Sequence, residues 1–174
     1  MNISYLAMSD IPSKNANGLQ IIQMCSAFSE IGHKVKLVTP NFDTPINMSI
    51  KNYYGIKNKF KLIRIGKKKK LLSRIDNIIL PFKLSLYSVK NKSDLIITRN
   101  LVISFFLIIF RTKHILEIHD DLVIGGKKIS WIFKEFKLLN SAKIKKIVFI
   151  TKCLYNFIAC KYNYKKNNFD ILPD

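Results

Sequence analysis

Short apolar runs alternate with longer amphipathic ones from one end of the chain to the other. The runs ISYLAM (3–8), KVKLVT (34–39), FKLIRIG (60–66), DLIITR (94–99), HILEIH (114–119), KIVFIT (146–151) and FDIL (169–172) are brief and rich in Ile, Val and Leu, and they predict β-strands. Between them the spacing predicts helices over 18–32, 71–91, 101–110, 129–140 and 152–162. In the first helix Leu19, Ile22, Ala27 and Ile31 recur near one face, and Gly32 supplies a C-terminal stop. Pro81 predicts a kink in the second. LVISFFLIIF at 101–110, bracketed by Arg99 and Arg111, is about half as long as a bilayer span requires and reads as a buried helix. Alternation sustained in this way implies right-handed crossovers and a parallel sheet covered on both faces. The expected fold is therefore α/β, a doubly wound, Rossmann-like parallel sheet in a single domain.

In such sheets ligands bind beyond the carboxyl ends of the strands. That rule selects SDIPSKNANG (9–18), then Arg99 and Asn100, then His119, Asp120 and Asp121, then Thr151 and Lys152. The segment 15–18 joins a strand to a helix, so the helix's first N–H groups can receive a phosphate there, with Gly18 admitting a close approach. A plain turn in which Asn17 or Gly18 caps the helix fits the same residues. Neither GxGxxG nor GxxxxGK[ST] occurs. Glu117 and His119 are two apart, hence on one face of their strand, and a carboxylate beside an imidazole fixes its tautomer and aim. Such a ring can bind a sugar hydroxyl, ligate a metal or act as a base, and the group can equally be a solvated strand end. A metal site needs further ligands, which His33 at a helix end and His114 at a strand start do not offer, so no metal is expected.

Composition alters this picture in two places. Thirty Lys and Arg against 11 Asp and Glu give a net charge of +19, a field that attracts phosphate, nucleic acid or anionic lipid. The chain is rich in Lys, Asn and Ile together, so where the charge lies says more than its total. Aromatic residues fall mostly in apolar runs and are not interleaved with Lys and Arg, which argues against nucleic acid. The densest charge, Lys67, Lys68, Lys69, Lys70 and Arg74, leads into the amphipathic segment up to residue 92. This arrangement suits an anionic membrane surface, and suits equally a solvated loop before a core-packing helix. Cys25, Cys153 and Cys160 are odd in number and show no metal or CxxC spacing, so reduced and mostly buried thiols in a cytosolic protein are expected. MNISYLAMSD has no basic region before a long apolar run, and no signal peptide is expected.

In order, NANGLQIIQMCSAFSEIGHKVKLVTP, DLIITRN, HILEIHD, KIVFITKCL and the closing DILPD resemble the N-terminal domain of GT-B glycosyltransferases of the family 4 type, which transfer sugars from nucleotide donors. The likeness runs over nearly the whole chain, residues 1–174. It implies one half of a GT-B fold, the acceptor side of a retaining, nucleotide-sugar-dependent enzyme building a cell-envelope or capsular glycan. The loop with Asn17 and Gly18 would approach the donor diphosphate, although Gly18 stands alone where the family often pairs glycines. His119, oriented by Glu117, would reach the donor sugar, and Arg99 and Asp120 would join Asn100 and Lys152 on an acceptor rim. The partners implied are a nucleotide-sugar donor and a glycan or lipid-linked acceptor. Membrane-docked members use basic, apolar surfaces, matching residues 67–92, and the expected location is cytoplasmic, peripheral on the inner face of the membrane. No cofactor is implied. A donor-binding C-terminal domain with E-x7-E carboxylates is expected outside these residues, so the 174 alone are not expected to turn over substrate. The alternative is a non-catalytic basic α/β module that binds anionic membrane or a partner chain. A flavodoxin-like regulator or phosphoesterase would want clustered acids after the first strand, where Asp10 is the only one.

Overall fold

The computed structural model describes residues 1–42, 49–56, 60–67, 73–120, 127–165 and 167–172, without the side chains of Lys67, Ser73, Arg74 and Lys127. Seven parallel strands, flanked by helices, form one doubly wound sheet in the order β3-β2-β1-β4-β5-β6-β7. They are β1 (Asn2–Leu6), β2 (Lys34–Asn41), β3 (Lys61–Lys67), β4 (Leu95–Thr98), β5 (His114–Ile118), β6 (Ile144–Phe149) and β7 (Phe169–Ile171). The helices are α1 (Ala16–Glu30), α2 (Ile50–Tyr54), α3 (Ser73–Lys90), α4 (Leu101–Ile109), α5 (Lys127–Glu135) and α6 (Lys152–Tyr162). The expected α/β fold is thus observed, built from two compact units, Met1–Ile96 and Ile97–Asp174.

In the first unit β2 pairs with β1 on one side and β3 on the other, with a register shift between Thr39 and Asn41. Ile3, Tyr5 and Leu6 of β1 and Leu37 and Val38 of β2 are buried, as strands covered on both faces require. Helix α1 ends where it should: Gly32 takes φ 89° and its N–H donates to Ser29 O. Its inward face differs from the expected one. Gly18, Ile21, Ile22, Cys25 and Ser26 are buried, while Leu19, Ala27 and Ile31 are exposed. The packed stripe sets Ile21 and Ile22 beside the small Gly18, Cys25 and Ser26, and it is these three that a hydropathy pattern does not mark. Helix α3 runs through the buried Pro81, and the Ser85 hydroxyl donates to the Pro81 carbonyl at 2.8 Å. Lys68, Lys69 and Lys70 lie outside the described residues, as do the side chains of Lys67 and Arg74.

In the second unit β5 pairs with β4 and β6, and β6 with β7. A core of Leu101, Val102, Leu116, Ile118, Phe133, Ile147, Phe149, Ile158 and Tyr162 holds α4, α5 and α6 to these strands. The apolar run at 101–110 is the buried helix expected of it. The helix expected over 129–140 instead stops at Glu135; Lys137 takes φ 48°, and Leu138–Asn140 forms a separate 3-10 turn. The thiols also depart from expectation. None of the three cysteines is in a disulfide, but only Cys25 is buried; Cys153 and Cys160 are seven residues apart, hence two turns apart, on the outward side of α6.

Candidate functional site

The polar strand ends form two groups, one in each unit. In the first unit the loop after β1 is tied down by its own neighbours. Tyr54 Oη accepts from the Ser13 N–H at 2.7 Å and donates to the Ser13 carbonyl at 2.8 Å. Arg64 Nη2 donates to the Ile11 carbonyl at 3.1 Å, and Asn17 Nδ2 to Ser9 Oγ at 3.0 Å. Tyr54 stands on α2, an element that the apolar pattern missed because none of its residues is buried. The signal present was Ser49 as N-cap and Gly55 as stop, six residues apart.

Gly18 sits at the centre of this arrangement. A Cβ there would lie 2.7 Å from Ser13 Oγ and 3.4 Å from Tyr54 Oη. The room above Gly18 is therefore taken by the protein's own loop, which explains the glycine without a ligand. The N-terminus of α1 is a separate matter. Its N-cap, Asn15, makes no side-chain cap bond, whereas Ser49, Asn100 and Thr151 each cap their helices with a side-chain oxygen. Among these four helices α1 alone has an N-cap whose side chain makes no cap bond, and no acid occupies its first turn.

In the second unit three charged or polar side chains meet at the carboxyl ends of β4 and β5, Glu117 within β5 and Arg99 and His119 just past their strands. The register sets Thr98 opposite Leu116, so one step on Arg99 comes level with Glu117. Arg99 Nε lies 3.9 Å from Glu117 Oε2, and His119 Nε2 lies 3.5 Å from the same oxygen. All three side chains are largely buried, with 14%, 8% and 17% of their surface exposed for Arg99, Glu117 and His119. Arg99 Nη1 is buried and makes no hydrogen bond to the described residues. An orphaned buried donor costs about 1–3 kcal/mol, so its position invites an acceptor oxygen.

Sequence reasoning had placed Glu117 and His119 on one face, and the structure brings them together with Arg99. Asn100 is otherwise employed: its Oδ1 accepts from Val102 N at 2.9 Å and Ile103 N at 3.1 Å, capping α4. Lys152 is exposed at the start of α6, behind Thr151, whose Oγ1 accepts from Leu154 N. Asp120 is partly buried, and Asp121 lies outside the described residues. Among the described residues no three His, Cys, Asp or Glu side chains are grouped so as to hold a metal ion.

His114, expected only to open a strand, is fully buried. Its Nδ1 is 3.1 Å from the Thr112 carbonyl, which can only accept, so Nδ1 carries the proton. Nε2, 2.7 Å from Ser104 Oγ, then accepts from that hydroxyl. Burial outweighs the Thr112 bond and lowers the pKa from 6.5 to about 4. This is a neutral core histidine that pins α4 to β5.

The fold described here is that of a glycosyltransferase half-domain. A glycosyltransferase from Rickettsia africae ESF-5 superposes with a TM-score of 0.59 at 9% identity, over 99% of this chain and 42% of that one. Sucrose-phosphate synthase from Thermosynechococcus elongatus gives 0.66 at 12% identity, over 99% and 47%. The lipopolysaccharide outer core galactosyltransferase WaaB, in its apo form, gives 0.59 at 11% identity, over 100% and 46%. The chain spans less than half the length of these structures. No protein-family model and no curated protein matches the sequence.

Proposed function

We propose that these residues are the N-terminal, acceptor-side half of a retaining, nucleotide-sugar-dependent glycosyltransferase of the GT-B, family 4 type, acting in cell-envelope or capsular polysaccharide synthesis. The observation that carries this reading is the Arg99–Glu117–His119 group, set at the carboxyl ends of two parallel strands of a sheet whose fold glycosyltransferases share. In this reading Glu117 aims the His119 ring, and His119 holds a hydroxyl of the donor sugar while its bond to diphosphate breaks. Arg99 Nη1 receives an oxygen of the acceptor. The leaving diphosphate is met by N–H groups at the start of α1 and by cations from a donor-binding half. No step requires a metal.

The test is turnover in the two-domain protein, with a panel of nucleotide sugars. His119→Ala is expected to lower kcat by about a hundredfold, the scale of losing one aimed hydrogen-bonding group, with the thermal midpoint unchanged. Wild-type turnover in that variant removes His119 from the site.

The reading includes attachment to the inner face of the membrane, where lipid-linked acceptors lie. What supports it is α3, which exposes Ile75, Ile78, Ile79 and Phe82 at helical spacing just after the basic run 67–70. No helix among the described residues is long and apolar enough to cross a membrane. Co-sedimentation with anionic liposomes, with and without the four lysines, tests this surface.

A further inference from the structure

Helix α5 sorts its residues into two faces. Ile129 and Phe133 enter the core beside Leu139, Ile158 and Tyr162, and the Ser130 hydroxyl meets the Tyr162 hydroxyl at 2.5 Å. The other side presents Lys128, Trp131, Lys134 and Glu135 to solvent, and the turn after it adds Phe136 and Lys137. Trp131 is the chain's single tryptophan. It is 58% exposed and Phe136 is 68% exposed, although these are the side chains whose burial would contribute most.

Two features of this face select its partner. Three lysines against one glutamate leave two positive charges in excess around the two aromatic rings. A helix face continued by a turn is also a ridge, not the groove that tracks a nucleic-acid backbone. Indole and phenyl rings are at home in the headgroup layer of a bilayer, and lysine stems reach along apolar surface to keep their ammonium groups at the phosphates. We propose that α5 and the turn at 136–137 form a docking face for a bilayer that carries anionic lipid, with Trp131 and Phe136 entering the headgroup layer and Lys128, Lys134 and Lys137 contacting anionic headgroups. This face lies within the second unit and is independent of the lysine run at 67–70.

The single tryptophan makes the test direct. Emission of the wild-type chain is recorded during titration with vesicles of phosphatidylcholine mixed with phosphatidylglycerol, with phosphatidylcholine alone, and with a single-stranded oligonucleotide. Expected are a blue shift with the mixed vesicles only and quenching by lipids brominated in the upper acyl chain. Replacing Lys128 and Lys134 by Gln is expected to weaken the titration about fivefold per lysine. Both positions are exposed, and circular dichroism of the variant verifies its fold. Unchanged emission while the chain co-sediments with anionic vesicles overturns the proposal and leaves the α3 surface as the binding element. Unchanged emission without co-sedimentation overturns both. A blue shift with the oligonucleotide and none with vesicles overturns it in favour of nucleic acid.

Discussion

The two polar strand ends solve opposite problems. The loop after β1 is held by hydrogen bonds to its neighbours: Tyr54 takes the Ser13 amide and carbonyl, Arg64 the Ile11 carbonyl, and Ser9 the Asn17 side chain. What it presents is backbone, at the start of α1, where the N-cap Asn15 adds no side-chain bond. The group after β4 and β5 is the reverse. The helix that follows β4 is capped by Asn100, and what the group presents is side-chain chemistry: a largely buried imidazole, a shared carboxylate and an orphaned guanidinium nitrogen. A diphosphate suits the first, because backbone N–H groups need no particular side chain. A sugar or acceptor oxygen suits the second, because hydroxyls are told apart by aimed donors and acceptors.

The largest expected effect distinguishes the units by acid. His114 is buried in the second unit, while His33, the histidine of the first, is not buried. With a folded pKa of about 4 against 6.5 when unfolded, the unfolded chain binds the extra proton between those values. Stability is therefore full above pH 6.5 and falls as pH drops towards 4, by about 3 kcal/mol at most. Urea unfolding across that window, compared with His114→Gln, should show the wild type losing this increment and the variant lacking it. Amide exchange should rise first in the second unit. A next, smaller effect tests the shared carboxylate. Glu117→Gln leaves Arg99 without its counter-charge and should cost about 2 kcal/mol, less than a fully buried pair because Arg99 keeps some solvent contact. The double variant with Arg99→Met should recover most of the loss. No recovery would show that Glu117 acts through other partners.

The apolar pattern was enough to place all seven strands within about two residues, because parallel strands buried on both faces are nearly continuous Ile, Val and Leu. It also found α1, α3, α4 and α6. It failed where packing is local or tight. Helix α2 has no buried face, and the inward stripe of α1 includes Gly18, Cys25 and Ser26, which read as neutral. Leu138 and Leu139 continued the helical period past Glu135, so the break at Lys137 was invisible. Of the candidate site, the Glu117–His119 pairing follows from strand alternation alone. The contribution of Arg99 needed the β4–β5 register, and the burial of His114 needed α4 to bring Ser104 across it. Neither is a property of neighbouring residues in sequence.

The first unit's self-containment can be probed at Tyr54. Tyr54→Phe removes an oxygen that both accepts from and donates to Ser13, and should cost about 1–2 kcal/mol. The Ser13 amide should then exchange with solvent much faster than those of β1. Slow exchange in the variant would mean that Arg64 alone holds the loop.

Gly18→Ala should produce the smallest effect on stability and the most informative contrast. Alanine in a helix gains up to about 1 kcal/mol over glycine. Against this, its Cβ would meet Ser13 Oγ at 2.7 Å, an atom that a rotation about one bond can move away. The two terms are of similar size and opposite sign, so the melting temperature should hardly change. Function need not follow. If donor diphosphate settles on the N–H groups at the start of α1, as proposed, a methyl group and a displaced Ser13 hydroxyl both intrude on its approach, and the KM for nucleotide sugar in the proposed two-domain enzyme should rise while the fold is kept. An unchanged KM would confine Gly18 to packing the loop, and would leave the proposed donor contact of the first unit to the helix terminus alone.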